Sequence, residues 1–112
     1  MHFVSVIINC HNGEQFLADA LESALAQTYE NLEVVFWDNA SSDSSWNIVS
    51  KFTDKRIKKF YSKTKTTLYC ARNLALEKCS GDIIAFLDVD DLWHPEKLAI
   101  QLREYGDPSV GM

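Results

Sequence analysis

Glycine and proline are scarce in this chain, which has four glycines and two prolines among 112 residues. So few of these residues exclude a collagen-like repeat and a low-complexity linker. Hydrophobic residues make up 46% of the sequence, which is enough apolar surface to offset the entropy lost on folding. We therefore expect a single packed domain of ordinary size over residues 1–112.

Cysteines and long apolar runs are also few. Cys10, Cys70 and Cys79 form no C-x-x-C pair, and an odd number leaves one thiol unpaired in any disulfide scheme. We expect free thiols that serve as small core residues in a reducing compartment. No apolar stretch approaches the roughly 18 residues that span a bilayer, and no basic leader precedes the first apolar run. The sequence predicts a soluble cytoplasmic chain without a transmembrane segment.

The chain has no excess of positive charge, because 16 acidic residues outnumber 11 basic ones and give a net charge of -5. This balance argues against a nucleic-acid partner. Seven of the basic residues nevertheless lie between Lys51 and Lys65. Such a run is most simply a solvated helix end and loop, but it could also face a membrane surface or an acidic ligand.

Strand-like and helix-like apolar spacing alternate along the chain. Strands are predicted at Val4–Ile8, Leu32–Trp37, Ile57–Tyr61 and Ile83–Leu87, the third nearer the sheet edge and the others buried. Helices are predicted at Phe16–Leu25, Trp46–Phe52, Leu68–Cys79 and Pro95–Tyr105, with Gly81 terminating the third. This order predicts an α/β fold, a Rossmann-like parallel sheet flanked by helices.

Acidic residues follow the fourth predicted strand, at the sheet edge where such folds bind ligands. Asp88 and Asp90 are two residues apart, so on an extended backbone their carboxylates point to the same side. At about 6 Å they repel by roughly 3 kcal/mol, and no basic residue lies within this loop. The pair therefore predicts a site for Mg²⁺ or Mn²⁺ together with substrate phosphates. Asp91 is expected to cap the helix at Pro95.

Three further residues lie beside this predicted edge. Asp38 ends the second strand, where it could bind a base or ribose or could simply form a turn. Arg72 interrupts the apolar face of its helix, so we expect it to pair with Asp38 or with a phosphate. His11 could stack on a ring or close the first loop.

Five ordered segments together resemble the donor-binding half of family-2 inverting glycosyltransferases, which have the GT-A fold. The similar segments are Val4-Ser5-Val6-Ile7-Ile8 with Asn12-Gly13-Glu14, Leu21 to Tyr29, Asp38-Asn39-Ala40-Ser41-Ser42-Asp43, Ala71 to Leu76, and Gly81 to Trp93. They cover nearly the whole chain and are far more specific than a lone D-x-D. The chain is identified as a member of this family, with a partial domain over residues 1–112.

The resemblance assigns a role to each candidate residue. Asp38 matches the acid that contacts the base, and Arg72 lies where the family lines the nucleotide pocket. Asp90 matches the metal ligand of the D-x-D pair, and Asp88 lies near the donor ribose or sugar while sharing the metal. The loop of Cys10, His11, Asn12 and Glu14 flanks the base. The implied activity is metal-dependent transfer of a sugar from a nucleotide diphosphate, with UDP expected, to a hydroxyl of a sugar, glycan or lipid-linked acceptor in polysaccharide biosynthesis.

This sequence departs from the family pattern in several places. The first loop reads Asn9-Cys10-His11-Asn12 instead of Pro-x-Tyr-Asn, so aromatic packing on the base depends on His11. The usual Asp-Asp-Gly-Ser is Asp38-Asn39-Ala40-Ser41, which removes one carboxylate and one glycine. No residue matches the family's catalytic base, which is expected beyond Met112. We therefore expect an isolated chain that transfers no sugar and whose open side promotes self-association.

Two other classes are consistent with parts of the sequence. Phe86-Leu87-Asp88-Val89-Asp90 also resembles the nucleophile loop of haloacid-dehalogenase-like phosphatases, but only 21 residues follow Asp91 and the Asp38 and Arg72 motifs stay unexplained. The other is a nucleotide-sugar-binding module without turnover.

Overall fold

Strands and helices alternate without interruption in the computed structural model, which describes residues 2–104. The strands are β1 (Val4–Cys10), β2 (Leu32–Asn39), β3 (Ile57–Ser62) and β4 (Ile83–Phe86). The helices are α1 (Leu17–Leu25), α2 (Ser45–Ser50), α3 (Leu68–Leu76) and α4 (Lys97–Glu104). The predicted element order is confirmed. Both β1 and β2 continue two residues further than predicted, so polar residues form the last strand positions.

All neighbouring strands are parallel, and the order across the sheet is β3-β2-β1-β4. β3 lies at an edge, as its flanking charges predicted. The register aligns Cys10 of β1 with Asp38 of β2, and Asp38 with Tyr61 of β3. The carboxyl ends of these three strands therefore lie level with one another, and the loops that leave them share one edge of the sheet.

Alternating β1 residues face opposite sides of the sheet, and the two sides are covered unequally. Val4, Val6 and Ile8 belong to a large cluster that also contains buried residues of α1, α2 and α4. Ile7 belongs to a much smaller cluster, which includes Ala75 of α3. The sheet is thus covered by helices on both faces, with α3 on the less densely packed one.

Helix α3 differs from its prediction because it contributes little to the core. Its two buried residues are Ala71 and Ala75, whereas Leu68 is 54% exposed and Leu76 is 37% exposed. The helix ends at Leu76 rather than Cys79, so Gly81 lies too far along the chain to terminate it. A Cβ on Gly81 would lie 2.6 Å from the Phe3 carbonyl oxygen. Close packing against the start of β1 explains that glycine.

Two other burial predictions were wrong. β4 is only partly buried, and Phe86 is 45% exposed, because β4 lies at an edge of the described sheet beside a groove of about 250 Å³ that faces α4. All three cysteines are free, but only Cys10 is buried, and Cys70 is exposed on α3. Helix α4 begins at Lys97, and Tyr105, which was predicted to continue its apolar face, lies outside the described residues.

Candidate functional site

Hydrogen bonds join the loop after β1 to the loop after β2. Asn12 has a left-handed φ of 54°, which asparagine tolerates better than most residues. Its Oδ1 accepts hydrogen bonds from the backbone N–H groups of Ser42 (2.8 Å) and Asp43 (3.3 Å). Its own N–H donates to Ser41 Oγ at 2.8 Å. Asn12, which was predicted to bind nucleotide, thus fixes the shape of these two loops.

Glu14 and Cys10 belong to the same joint between the two loops. The backbone N–H of Glu14 donates to Asp43 Oδ2 at 3.1 Å, and Glu14 Oε2 accepts from the Ser44 N–H at 3.2 Å. Cys10 is 1% exposed, and its burial raises the pKa of its thiol despite opposing hydrogen bonds from Ser45 and Gly13. The Cys10 side chain is therefore a neutral packing group beneath the loops.

The structure shows Asp38 in one of the two roles that the sequence left open, that of a turn-forming residue. It is fully buried, and its Oδ1 accepts a hydrogen bond from the Ser41 backbone N–H at 2.9 Å, as a turn-forming aspartate does. Its Oδ2 is buried as well, but no hydrogen-bond partner for it lies within residues 2–104. A buried acceptor without a partner costs about 1–3 kcal/mol. Asp38 Oδ2 is closed to solvent in this arrangement, so a ligand would reach it only after the loops above it shift.

His11 borders a cleft of about 190 Å³ at the ends of β1 and β2. Its Nδ1 lies 2.7 Å from the Asn39 carbonyl oxygen, which can only accept, so Nδ1 carries the proton. The opposite wall consists of Lys65, Thr66 and Leu68. The hydrogen bond from Nδ1 to Asn39 holds the His11 ring in place, as expected of a residue that closes the first loop. His11 itself stays exposed.

Asn39 positions the opposite wall of this cleft. This role of Asn39 was not predicted from the sequence. Its Nδ2 donates to the Thr66 carbonyl at 2.8 Å, and its Oδ1 accepts from the Thr66 N–H at 3.0 Å. These paired bonds hold the segment before α3 across the end of β2. The sequence offered one partial signal, since Thr67 caps α3 by accepting a hydrogen bond from the Cys70 N–H. Capping locates the helix start but not the strand that this segment crosses.

Among the described residues Arg72 lies beside Asp88 and does not pair with Asp38, the protein side chain that was predicted as its partner. Its Nη2 lies 3.9 Å from Asp88 Oδ1, and its guanidinium carbon lies 5.2 Å from the centre of the Phe86 ring. Arg72 therefore supplies, from α3, the positive charge that the acidic loop lacks in its own sequence. The Arg72 side chain is partly exposed and that of Asp88 largely so, which makes their attraction weak and leaves each able to bind a ligand.

Asp88, Asp90 and Asp91 each offer one carboxylate oxygen, and these oxygens lie within 4.8 Å of one another. The chain reaches this arrangement through a turn, in which the Asp91 N–H donates to the Asp88 carbonyl at 3.0 Å, and not through the extended backbone that was predicted. All three residues are exposed. The clustered oxygen donors fit a hard divalent cation such as Mg²⁺ or Mn²⁺.

The expected cap function of Asp91 belongs to other residues. At the start of α4, His94 Nδ1 accepts from the Glu96 N–H at 3.2 Å, and Gln27 Oε1 accepts from the Leu98 N–H at 3.0 Å. Asp91 is thus placed with the acidic turn (residues 88–91). The capping prediction failed because Asp91 lies too early in the loop, with α4 beginning only at Lys97.

The family model for glycosyl transferase family 2 matches residues 5–112. The chain belongs to glycosyltransferase family 2. Among its relatives is the Escherichia coli UDP-Glc:alpha-D-GlcNAc-diphosphoundecaprenol beta-1,3-glucosyltransferase WfaP, which is 41% identical over 106 residues. That match covers 92% of this chain and 41% of the relative. The putative glycosyltransferase EpsE of Bacillus subtilis is 38% identical, with 97% of this chain and 42% of the relative covered.

Solved glycosyltransferase structures share the fold of this family-2 chain. Residues 1–349 of Staphylococcus aureus TarS in complex with UDP superpose with a TM-score of 0.83 at 30% identity, covering 90% of this chain and 31% of that one. The mannosyltransferase PcManGT of Pyrobaculum calidifontis, in complex with GDP-Man and Mn²⁺, gives a TM-score of 0.88 at 28% identity. Its match covers 98% of this chain and 34% of that one. The GT-A-type fold and its partial extent are confirmed, and the phosphatase alternative is not favoured.

No helix within residues 2–104 combines the length and apolar character needed to cross a bilayer.

Proposed function

We propose that this chain forms the donor-binding part of a metal-dependent glycosyltransferase that transfers a sugar from a UDP-sugar to a hydroxyl acceptor. One observation supports this proposal most directly: the cleft beside His11, the buried Asp38 oxygen that lacks a partner, and the acidic turn all lie at the same edge of the sheet. Neighbours of this fold bind UDP, UDP-GlcNAc and GDP-Man, which supports a nucleotide-sugar donor.

Within this proposal the cleft beside His11 receives the base. Asp38 Oδ2 accepts a hydrogen bond from a donor N–H or O–H of the nucleoside and so gains the partner that it lacks. Asn12 and Glu14 act indirectly by holding the two neighbouring loops together, and Cys10 supports them from beneath. We propose UDP over other nucleotides because two relatives carry UDP-Glc in their names.

Asp88 and Asp90 would hold the divalent cation, with Asp91 beside them. A bound Mg²⁺ or Mn²⁺ would neutralise the negative charge that develops on the departing nucleoside diphosphate. Arg72 lies next to Asp88, where its guanidinium can bind a phosphate oxygen with one face while remaining near the carboxylate. In this proposal these residues bind and orient the donor, and other groups activate the acceptor.

The acceptor and the base that deprotonates it are assigned to sequence outside these 112 residues. The chain spans about two fifths of the length of some curated relatives that it matches and about one sixth of the length of others. In this proposal every acidic residue at the ligand edge binds the metal, binds the nucleobase or joins the loops. We therefore assign none of them as the catalytic base. Binding without transfer is therefore expected of this chain alone.

We further propose a lipid-linked acceptor that is met at the cytoplasmic membrane surface. Two relatives are named for a diphosphoundecaprenol-linked substrate. Lys63 and Lys65 are exposed just after β3, near the proposed donor cleft, where they could attract anionic headgroups. The basic run between Lys51 and Lys65 would then face a membrane surface, which is one of the two functional roles that its sequence allowed.

Calorimetric titration of UDP with and without Mn²⁺ tests the donor site directly. We expect Mn²⁺ to tighten UDP binding at least tenfold and Asp90→Asn to remove most of that gain, since it deletes a charged oxygen ligand. Asp19→Asn is the matched control, because Asp19 is an exposed carboxylate in the first turn of α1. Equal affinity with and without Mn²⁺ would contradict a metal-dependent donor site.

A second variant addresses the role of Asp38. Asp38→Asn keeps the size of the side chain and the acceptor oxygen for Ser41 but replaces the other oxygen by a donor. We expect at least a tenfold loss of UDP affinity in the absence of metal, with an unchanged far-ultraviolet circular dichroism spectrum. Full affinity in a folded variant would show that Asp38 is a turn residue only.

A further inference from the structure

The side chain of Val89, between Asp88 and Asp90, packs directly on the backbone of Gly13. A Cβ atom built on Gly13 would lie 2.9 Å and 3.1 Å from the two Val89 methyl groups, closer than carbon atoms normally approach. Gly13 is buried and does not have a left-handed φ. Space for Val89, and not backbone conformation, therefore explains glycine at this position.

Both members of this contact are rigid. The Gly13 N–H donates to Ser45 Oγ at 3.0 Å, and its carbonyl accepts from the N–H groups of Phe16 and Leu17 at 3.0 Å each. These bonds fix Gly13 to α2 and to the first turn of α1. Val89 is branched at Cβ, so its χ1 rotation is strongly restricted. The two methyl groups thus set the distance between the first loop and the acidic turn.

We propose that Gly13 and Val89 form a steric seat that positions the carboxylates of Asp88 and Asp90 for the cation, with Val89 as a positioning residue. This inference rests on the proposed function, because it assigns the seat to the metal-dependent donor site. The flanking carboxylates are exposed, and within residues 2–104 the turn itself and the weak pair of Arg72 with Asp88 are the contacts that hold them. Moving or removing the Val89 methyl groups would therefore displace the oxygen ligands while leaving the base cleft in place.

Four proteins test the seat through the metal-dependent gain, defined as the ratio of the UDP Kd without Mn²⁺ to the UDP Kd with Mn²⁺. Gly13→Ala pushes the acidic turn outward, and Val89→Ala leaves it loose, so each single variant should lower this ratio at least fivefold. Their combination replaces lost volume at position 89 with a methyl group at position 13. Its ratio should exceed that of both single variants.

Two kinds of control separate positioning from general destabilisation. Val49→Ala truncates a fully buried valine in α2 and should lower the melting temperature without changing the ratio. Val89→Thr keeps the branched shape and should retain the wild-type ratio. The wild-type ratio also separates the two proposals, because a ratio of one refutes metal-dependent donor binding and the seat with it.

A normal wild-type ratio allows the seat to fail by itself. Unchanged ratios in folded Gly13→Ala and Val89→Ala would refute it, as would a double variant whose losses are additive or worse. If Gly13→Ala does not fold, because its new methyl group also lies near the Cys10 sulfur at 3.1 Å, the Val89→Ala and Val89→Thr pair decides. Loss in the alanine variant with retention in the threonine variant supports the seat, and any other result overturns it.

Discussion

Ala40 has a left-handed backbone conformation, with a φ of 56°, in the turn that follows Asp38. A side chain with a Cβ pays about 1 kcal/mol or more for this conformation, whereas glycine adopts it freely. The similar motif in the glycosyltransferase family usually has glycine at this place. The turn is held by the bond from the Ser41 N–H to Asp38 Oδ1, so local strain and the candidate base contact share the same few residues.

Ala40→Gly should stabilise the chain by about 0.5–1 kcal/mol, since relief of strain exceeds the added flexibility of the unfolded state. Urea denaturation would show a higher midpoint at unchanged slope. Ala18→Gly is the matched control, because Ala18 has a helical backbone in the first turn of α1 and the same substitution should destabilise the chain there. A destabilised Ala40→Gly would mean that the alanine side chain makes a compensating contact.

A buried polar joint connects β1, β2 and β3 near the opposite end of the sheet. Glu33 accepts hydrogen bonds from Ser5 Oγ and from the Ser80 backbone N–H, both at 2.6 Å, and pairs with Lys58 Nζ at 2.7 Å. Burial disfavours its charge, but these contacts outweigh that effect and lower the pKa of the Glu33 carboxyl. This joint fixes the strand ends that lie far from the ligand edge.

Glu33→Gln should destabilise the chain by about 1–2 kcal/mol at neutral pH. Because the folded pKa is depressed, the stabilisation is present above the unfolded glutamate pKa of about 4.3 and is lost as pH falls through the lower folded value. Chemical denaturation of both proteins between neutral pH and about pH 3 would show their difference shrinking at the acidic end. A constant difference would mean that the changed hydrogen bonding of the side chain, and not its charge, explains the effect.

Gly81 tests the packing of the same region without changing a charge. Its N–H donates to Ser5 Oγ at 2.8 Å, and an added Cβ would meet the backbone of Phe3 and Ser5. Gly81→Ala should therefore cost about 1–3 kcal/mol, measured by thermal or urea denaturation. A neutral substitution would show that the loop before β4 adjusts freely.

The predictability of these features depends on whether their causes are local in sequence. The strand and helix order followed from apolar periodicity, and Asp38, Asp88 and Asp90 stood out because acids after apolar strands are easy to recognise. The pairing of Arg72 with Asp88, the contact of Asn39 with Thr66 and the Glu33 joint connect residues far apart along the chain. The burial of β4 was misjudged because an apolar run does not specify its neighbours.

Viewed as a whole, the chain exposes apolar surface along one side. β4 is an edge strand of the described sheet, and the groove between it and α4 is lined by Phe86, Trp93 and Leu98, among others. Phe86 and Ile100 are each more than two fifths exposed. Edge strands with apolar neighbours readily pair with other chains.

Self-association is therefore expected of the isolated chain. Sedimentation velocity should show an average mass that rises with protein concentration. Apolar contact is not weakened by salt, so the association should persist at high ionic strength, whereas association through the basic run should disappear. A monomer at all concentrations would contradict this prediction.

The strand order also has a kinetic consequence. β1 pairs with β2 across 28 residues (Val4 with Leu32) but with β4 across 79 residues (Val4 with Ile83). Closing the longer loop costs about 0.9 kcal/mol more in chain entropy. The central pairing is thus the easier one to form first, and the strand that leads into the acidic turn joins a sheet that already exists. We expect higher φ-values for Val34 than for Ile84 in folding experiments, so that the acidic turn, which is the proposed cation site, forms in the last step of folding.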